Sequence, residues 1–525
     1  MQVQDFLAGS AERFPDKTAV AAGAERASYA GLDARTNRLA RALRESGVSP
    51  GDRVVIFLDN GLDCATAVFG ALKADAAFVV VNATTKPDKL EFILGDCEAR
   101  AFVSSSRFGE ALAVAGERAG SVRCIVSADG AAHPPANGKA LVRMDRDLEG
   151  LPGSPPERRG IDMDLAALIY TSGSTGFPKG VAVTHRNVIS AATSITQYLE
   201  NVPGDVILNV LPMSFDYGLY QLLMAARMGA TLVLEKSFAY PFRIVELVRK
   251  EGVTGFPGVP TLFAILLQMK DVRPDWFDGV RYVSNTAAAL PPAHILRLRE
   301  LFRKARIYSM YGVTECKRVS YLPPEELERR PTSVGRGMPN EQVFVVDEEG
   351  RPVGPGVIGE LVVRGSNVMA GYWNRPEETA RALRPGRYPW ERVLHTGDLF
   401  KTDEEGWLYF VSRKDDIIKS RGEKVSPREV ENVLYELPQV KEAAVVGAPD
   451  PVLGEAIVAY LVLGEGGILD ERSVLDHCAR RLESFMVPRR IVFRGSLPKT
   501  TSGKIKKSAL KAAEGMAVAA EEDGA

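Results

Sequence analysis

The chain has no apolar run near the roughly 18 residues that a membrane-spanning helix needs. Its opening, MQVQDFLAGSAERFPDK, carries charges where a signal peptide requires an apolar core. A cytoplasmic protein is expected. Cysteine is scarce: Cys64, Cys97, Cys124, Cys316 and Cys478 are scattered, with neither CxxC pairs nor histidines at metal-site spacing. That argues against a disulfide framework and a zinc site, and makes buried, reduced thiols the expectation. A surplus of one charge is lacking too. The 66 basic and 67 acidic residues nearly cancel, so no overall field recommends nucleic acid or an anionic membrane as a partner. No internal repeat is visible.

What is present is the composition of a soluble globular protein, 45% hydrophobic and 25% charged, in a chain of 525 residues that is too long for one ordinary core. Short β-rich runs alternate with amphipathic stretches, which predicts an α/β protein of layered sheets rather than a bundle or a sandwich. Residues 53–57 (RVVIF) read as a strand, 63–73 as a helix and 77–81 (AFVVV) as the next strand. Further strands are expected at 165–170, 231–234, 281–283 and 343–346. Their apolar, β-branched character suits sheets covered on both faces. Residues 129–160, rich in Ala, Pro and Gly, are expected to be a surface excursion, and the last dozen or so a frayed tail.

Near residue 412 the texture changes. A polar connector leads into a helix that Ser426 can cap, with Pro427 in its first turn and Glu429 completing a capping box. Val430, Val433, Leu434 and Leu437 fall on one stripe of that helix. Strands at 443–446, 457–463 and 490–493 and a helix near 470–482 complete roughly 110 residues of α+β, enough for a small second domain.

The strongest chemical signal is 170–180, YTSGSTGFPKG, after an apolar strand. Gly173, Gly176 and Gly180 let the backbone approach a ligand closely, while the hydroxyls of Thr171, Ser172, Ser174 and Thr175 and the ammonium of Lys179 offer donors to phosphate oxygens. It is not a Walker loop: the order GxxxxGK followed by Ser or Thr is absent, and the next residues, VAVTH, resume as a strand. A plain hairpin turn would need neither the four hydroxyls nor the lysine.

Four further motifs follow in order: 311–315 (YGVTE), 395–398 (HTGD), 412–416 (SRKDD) and 498–504 (PKTTSGK). With them the chain resembles the adenylate-forming superfamily of acyl-CoA synthetases, amino-acid adenylation domains and beetle luciferases. The resemblance implies a ligase that drives a carboxylate into the α-phosphate of ATP, releases pyrophosphate and passes the acyl group to a thiol. Two anions must meet, so cations and donors must surround both.

By that resemblance Thr171, Ser172, Gly173, Ser174, Thr175, Gly176 and Lys179 hold the β- and γ-phosphates. Thr314 donates to the α-phosphate, and Glu315, with Thr175, holds Mg²⁺, a hard cation suited to oxygen ligands. Tyr311 stacks on adenine beside the strand end Asn285, Thr286 and Ala287. Asp398 accepts the ribose hydroxyls and Arg413 donates to the same sugar. Lys504 neutralises charge between carboxylate and phosphate. The implied architecture is a large domain, 1–412, of βα-layered sheets with a small distorted β-barrel, and a small mobile α+β domain, 413–525, that carries Lys504 and swings about Asp415.

The acid's pocket is implied to be lined by Phe215, Asp216, Tyr217, Tyr220, Val283, Met310, Arg318 and Val319. Two readings stay open. Asp216 resembles the aspartate with which amino-acid adenylation domains hold an ammonium; alternatively Arg318 neutralises it and leaves an apolar or aromatic wall for an acyl or aryl acid. A luciferase-like oxygenase shares the motifs as well. No carrier domain follows residue 510, so the thiol is expected to arrive in trans, as CoA or as a phosphopantetheinyl carrier protein. Arg489, Arg490, Arg494, Lys506 and Lys507 could meet it, or form a solvated basic face.

Overall fold

The computed structural model describes residues 1–130, 138–171, 178–286, 288, 290–414, 416–420, 423–450, 454–500 and 504–522. Why its central strands lack a polar face is plain from their neighbours. In strand Arg53–Ile56, Val54 and Ile56 share one core with Val68, Phe69 and Leu72 of helix Leu62–Lys73, while Val55 packs into another with Leu90, Ile93 and Leu94 of helix Pro87–Asp96. Each face is therefore covered by a helix, as parallel strands require.

Among the described residues four sheets form. The first has eight strands, in the order Gly371–Tyr372, Lys179–Thr184, Leu165–Thr171, Ala77–Val80, Arg53–Ile56, Ala99–Ser104, Cys124–Ser127 and Ala140–Arg143. The second has nine, and its middle is parallel: Thr231–Leu234, Val206–Asn209, Gly255–Gly258, Tyr282–Asn285 and Arg306–Tyr311. A third, antiparallel sheet occupies the place of the expected barrel. It pairs Glu341–Val346, Gly359–Gly365, Arg392–Thr402, Leu383–Pro385 and Leu408–Arg413. The fourth belongs to the C-terminal domain, where Gly454–Leu463 lies between Val440–Asp450 and Arg490–Phe493.

The structure departs from the sequence expectations in several places, one being that Leu437, expected on the stripe of the helix after Ser426, lies beyond that helix's end at Leu434. The strand expected at 281–283 runs instead as Tyr282–Asn285. The excursion at 129–160 contributes an edge strand, Ala140–Arg143, parallel to Cys124–Ser127; pairing to a neighbour supplied what a short, weakly patterned segment did not announce. Ser426 precedes helix Pro427–Leu434 but its side chain makes no cap hydrogen bond; its hydroxyl is turned to the carbonyl of Val411, to which it donates (2.5 Å). The expected frayed tail is helix Lys507–Glu522, anchored by Leu510 beside Leu497 and by Glu514, which accepts from Tyr460 and Arg490. All five cysteines are buried free thiols, and among the described residues no helix is long and apolar enough to cross a membrane.

His185 ties the N-terminal segment to this framework. It opens helix His185–Tyr198, is buried, and its Nδ1 accepts the backbone N–H of Val3 (3.1 Å). Burial depresses its pKa from 6.5 to about 4, against the opposing pull of Asp164 and Asp5. Between those two values the unfolded chain binds a proton that the folded one refuses, so stability rises with pH across the window and is lost as pH falls from 6.5 towards 4. His185→Asn keeps an acceptor for Val3 and cannot titrate. Its melting temperature, followed by calorimetry, should fall less steeply than the wild type's over that interval; an unchanged slope would show that His185 does not contribute.

Candidate active site

Parallel strands present ligands at their carboxyl ends. Tyr282–Asn285 and Arg306–Tyr311 are neighbours in register, Asn285 opposite Ser309, which brings Asn285 and Thr286 beside the segment from Tyr311 to Glu315. From the first sheet, antiparallel strands Leu165–Thr171 and Lys179–Thr184 close at the pair Thr171 and Lys179. Thus the motif expected to end in a strand does so. Ser172, Gly173, Ser174, Thr175 and Gly176 lie outside the described residues, as do Ala287 and Asp415.

Gly312 is required by a close approach. A Cβ there would stand 2.6 Å from the carbonyl oxygen of Lys317 and 3.0 Å from the Cα of Arg318, so the chain can fold back on itself only over a glycine. At the far side of this turn Lys317 adopts φ of 67°, a left-handed conformation that a long side chain seldom takes. Asn367 pins it: its amide donates to the carbonyls of Cys316 (2.9 Å) and Arg318 (3.2 Å).

On the nucleotide side, buried Asp398 accepts from the Tyr311 hydroxyl (2.5 Å) and from Arg413 Nε (3.1 Å). Asp398 and Arg413 are directly opposed in their antiparallel strands. The Tyr311 ring is steadied by Phe400, centroid to centroid 4.8 Å, and burial together with Asp398 pushes its phenol pKa well up, so it stays a donor. Glu315 accepts from the hydroxyl of Tyr372 (2.6 Å), and the Lys179 ammonium lies 5.5 Å from the centre of the same ring. Tyr372 was not foreseen; it belongs to no motif and reaches the site because Gly371–Tyr372 pairs with Lys179–Thr184. Thr314 is half-buried beside Glu315. Asn285 is buried and donates to the carbonyl of Ala288 (2.9 Å).

Lys504 joins the two sides. The residue keeps solvent access, but its charged end is desolvated by the protein around it, which lowers its pKa; Asp216 is the strongest opposing influence, and Arg413, Asp398 and Glu315 also act on it. One ammonium from the C-terminal domain therefore feels Asp398 and Glu315 as well as Asp216. Of the basic residues nearby, Arg490 pairs with Glu514 and Lys507 with Glu431, so these two already have partners.

On the acid side Phe215 precedes helix Asp216–Met228, which buries Asp216, Tyr217 and Tyr220. Val283, Met310 and Val319 are buried with them, and Tyr217 hydrogen-bonds to Ser284 Oγ (2.7 Å). The expected pairing of Asp216 with Arg318 is not what forms. Asp216 Oδ2 faces Lys317 Nζ at 3.6 Å, whereas Arg318 Nη1 donates to Thr286 Oγ1 (2.5 Å) and its guanidinium lies 5.3 Å from the Tyr217 ring centre. The left-handed turn at Lys317 is the physical reason, since it directs two consecutive cations to different neighbours.

The AMP-binding enzyme family model matches residues 7–373, and the model for the AMP-binding enzyme C-terminal domain matches 429–504. A long-chain-fatty-acid–CoA ligase of Bacillus subtilis (strain 168) is 31% identical over 535 aligned positions, which cover 96% of this chain and 93% of that protein. A feruloyl-CoA synthase of Amycolatopsis sp is 32% identical, covering 95% and 96%. Among solved structures, an anthranilate CoA ligase in complex with anthranoyl-AMP superposes with a TM-score of 0.90 at 26% identity, covering 99% of this chain and 98% of that one. The chain belongs to the AMP-binding enzyme family, among its AMP-forming acyl-CoA ligases.

Proposed function

We propose that the enzyme activates an acyl or aryl acid in two half-reactions, with the residues brought together above in named roles. The acid's carboxylate oxygen attacks the α-phosphorus of ATP, forming acyl-AMP as pyrophosphate leaves. The sulfur of CoA, as thiolate, then attacks the acyl carbon and AMP departs. The observation that carries this reading is the position of Lys504, whose charge is felt by Asp216 on one side and by Asp398 and Glu315 on the other. A cation at that junction lowers the repulsion between the incoming carboxylate and the phosphate.

Asp398 and Arg413 hold the ribose, Tyr311 lies against adenine beside Asn285, Thr286 and Ala287, and Thr314 donates to the α-phosphate. Thr171, Ser172, Gly173, Ser174, Thr175, Gly176 and Lys179 hold the outer phosphates. Among the described residues no group of three or more His, Cys, Asp or Glu gathers as a metal cage. A single carboxylate, Glu315, oriented by Tyr372, nevertheless fits Mg²⁺, which takes one or two protein oxygens and draws the rest from phosphates and water. When bound, the ion would neutralise charge on the departing pyrophosphate. Lys317 already neutralises Asp216, which supports an acid without an ammonium over the amino-acid alternative. CoA is the favoured acceptor over a carrier protein, and the reaction is assigned to the cytoplasm. The chain divides into 1–412 and 413–525, the second domain turning about Asp415 between the two half-reactions.

ATP–pyrophosphate exchange across fatty, aryl and amino acids tests the substrate class. Lys504→Ala should slow acyl-AMP formation by about 10²- to 10³-fold, the loss usual for one charge-stabilising donor, while thioester formation from supplied acyl-AMP is largely spared. Normal exchange in that variant would remove Lys504 from the chemistry. Asp415→Pro, which fixes φ near −65°, should leave adenylation intact and abolish thioester formation. Equal competence in both steps would place the hinge elsewhere.

A further inference from the structure

The acid pocket holds more positive charge than it can satisfy. Asp216 is 6% exposed, Lys317 6% and Arg318 1%, so two cations and one anion are buried together. Asp216 reaches Lys317 only at 3.6 Å, beyond hydrogen-bond length, and Lys317 Nζ has no hydrogen-bond acceptor among the described residues. It rests instead over the rings of Tyr220 (4.5 Å to the centroid) and Tyr217 (5.3 Å). Arg318 lies on Tyr217 as well and beside Tyr198, and its Nε has no acceptor among the described residues. Both orphaned donors thus border one aromatic ring, that of Tyr217, in the wall of the acid pocket.

A buried donor without an acceptor costs free energy, and a buried charge without a counter-charge costs more. Such groups persist where a ligand completes them. The backbone at this point is strained as well: the turn that aims the two side chains is left-handed at Lys317 and is held by Asn367. A purely apolar acid would leave both donors unsatisfied and the strain uncompensated.

We infer that the acid activated by this enzyme carries a second anionic group, a carboxylate remote from the reacting one, which Arg318 and Lys317 bind beside Tyr217. The inference rests on the ligase reading and narrows its substrate class from acyl or aryl acids in general to dicarboxylic ones. Asp216 is then a positioning residue that holds Lys317, and Thr286 orients the guanidinium while its strand end serves the nucleotide.

Wild-type enzyme should be assayed by pyrophosphate exchange with matched acids: butyrate against succinate, hexanoate against adipate, benzoate against isophthalate. In at least one pair the dicarboxylate should exceed its partner in kcat/KM by tenfold or more, and it alone should raise the melting temperature in the absence of ATP. Arg318→Met should lower the dicarboxylate-to-monocarboxylate ratio by about 10²-fold, as expected when a buried donor set meets an analogue lacking its partner. Arg318→Lys, which keeps the charge, should recover part of it. Exchange with monocarboxylates only, or a ratio unmoved in Arg318→Met, would overturn the inference and leave the ligase intact. Absence of exchange with every acid would overturn the ligase reading and the inference together. The wild-type comparison stands whether or not the variants fold.

Discussion

A carboxylate and a phosphate repel each other, and a ligase that joins them must hold positive charge where they meet without trapping it there. In the proposed reaction Lys504 meets both demands, carried by the C-terminal domain. Asp216, Asp398 and Glu315 raise its pKa while burial and Arg413 lower it, so its charge answers to several groups at once. A lysine locked in a tight ion pair would have its charge already spent on the protein. Much of the remaining site serves this junction: the third sheet supplies Asp398 and Arg413 in register, and the second sheet supplies the strand ends that face them.

The turn from Gly312 to Arg318 shows how backbone geometry becomes chemistry. Glycine leaves out the Cβ that would stand 2.6 Å from Lys317's carbonyl oxygen, Lys317 takes a left-handed conformation, and Asn367 holds the result. Glu315 therefore points towards Tyr372, while Lys317 lies over the ring of Tyr220 and Arg318 over that of Tyr217. One seven-residue turn sends its charged side chains to different neighbours, Glu315 to Tyr372 and Arg318 to Thr286. Strain of this kind persists because the surrounding packing over-determines it, and it is concentrated where substrates bind.

The parts of this protein that were legible in its sequence are those written in consecutive residues. Alternating apolar runs marked the strands near 53–57 and 77–81 because both faces are covered by helices close in the chain. The family was readable because the motifs at 170–180, 311–315, 395–398, 412–416 and 498–504 each occupy a few adjacent positions, as were five thiols destined for the interior.

Partnerships across long sequence distances were decided only by the tertiary structure. Tyr372 reaches Glu315 through an edge-strand pairing that leaves no local pattern, and Ala140–Arg143 is a strand only because Cys124–Ser127 offers it an edge. Ser426 has the identity of a cap but spends its hydroxyl on Val411, and Glu514 turns an apparently loose tail into an anchored helix. Above all, the sequence placed Lys317 and Arg318 side by side without saying which would face Asp216. A side chain's partner depends on the φ of its own residue and on elements brought from elsewhere in the chain, and neither is a property of residue order alone.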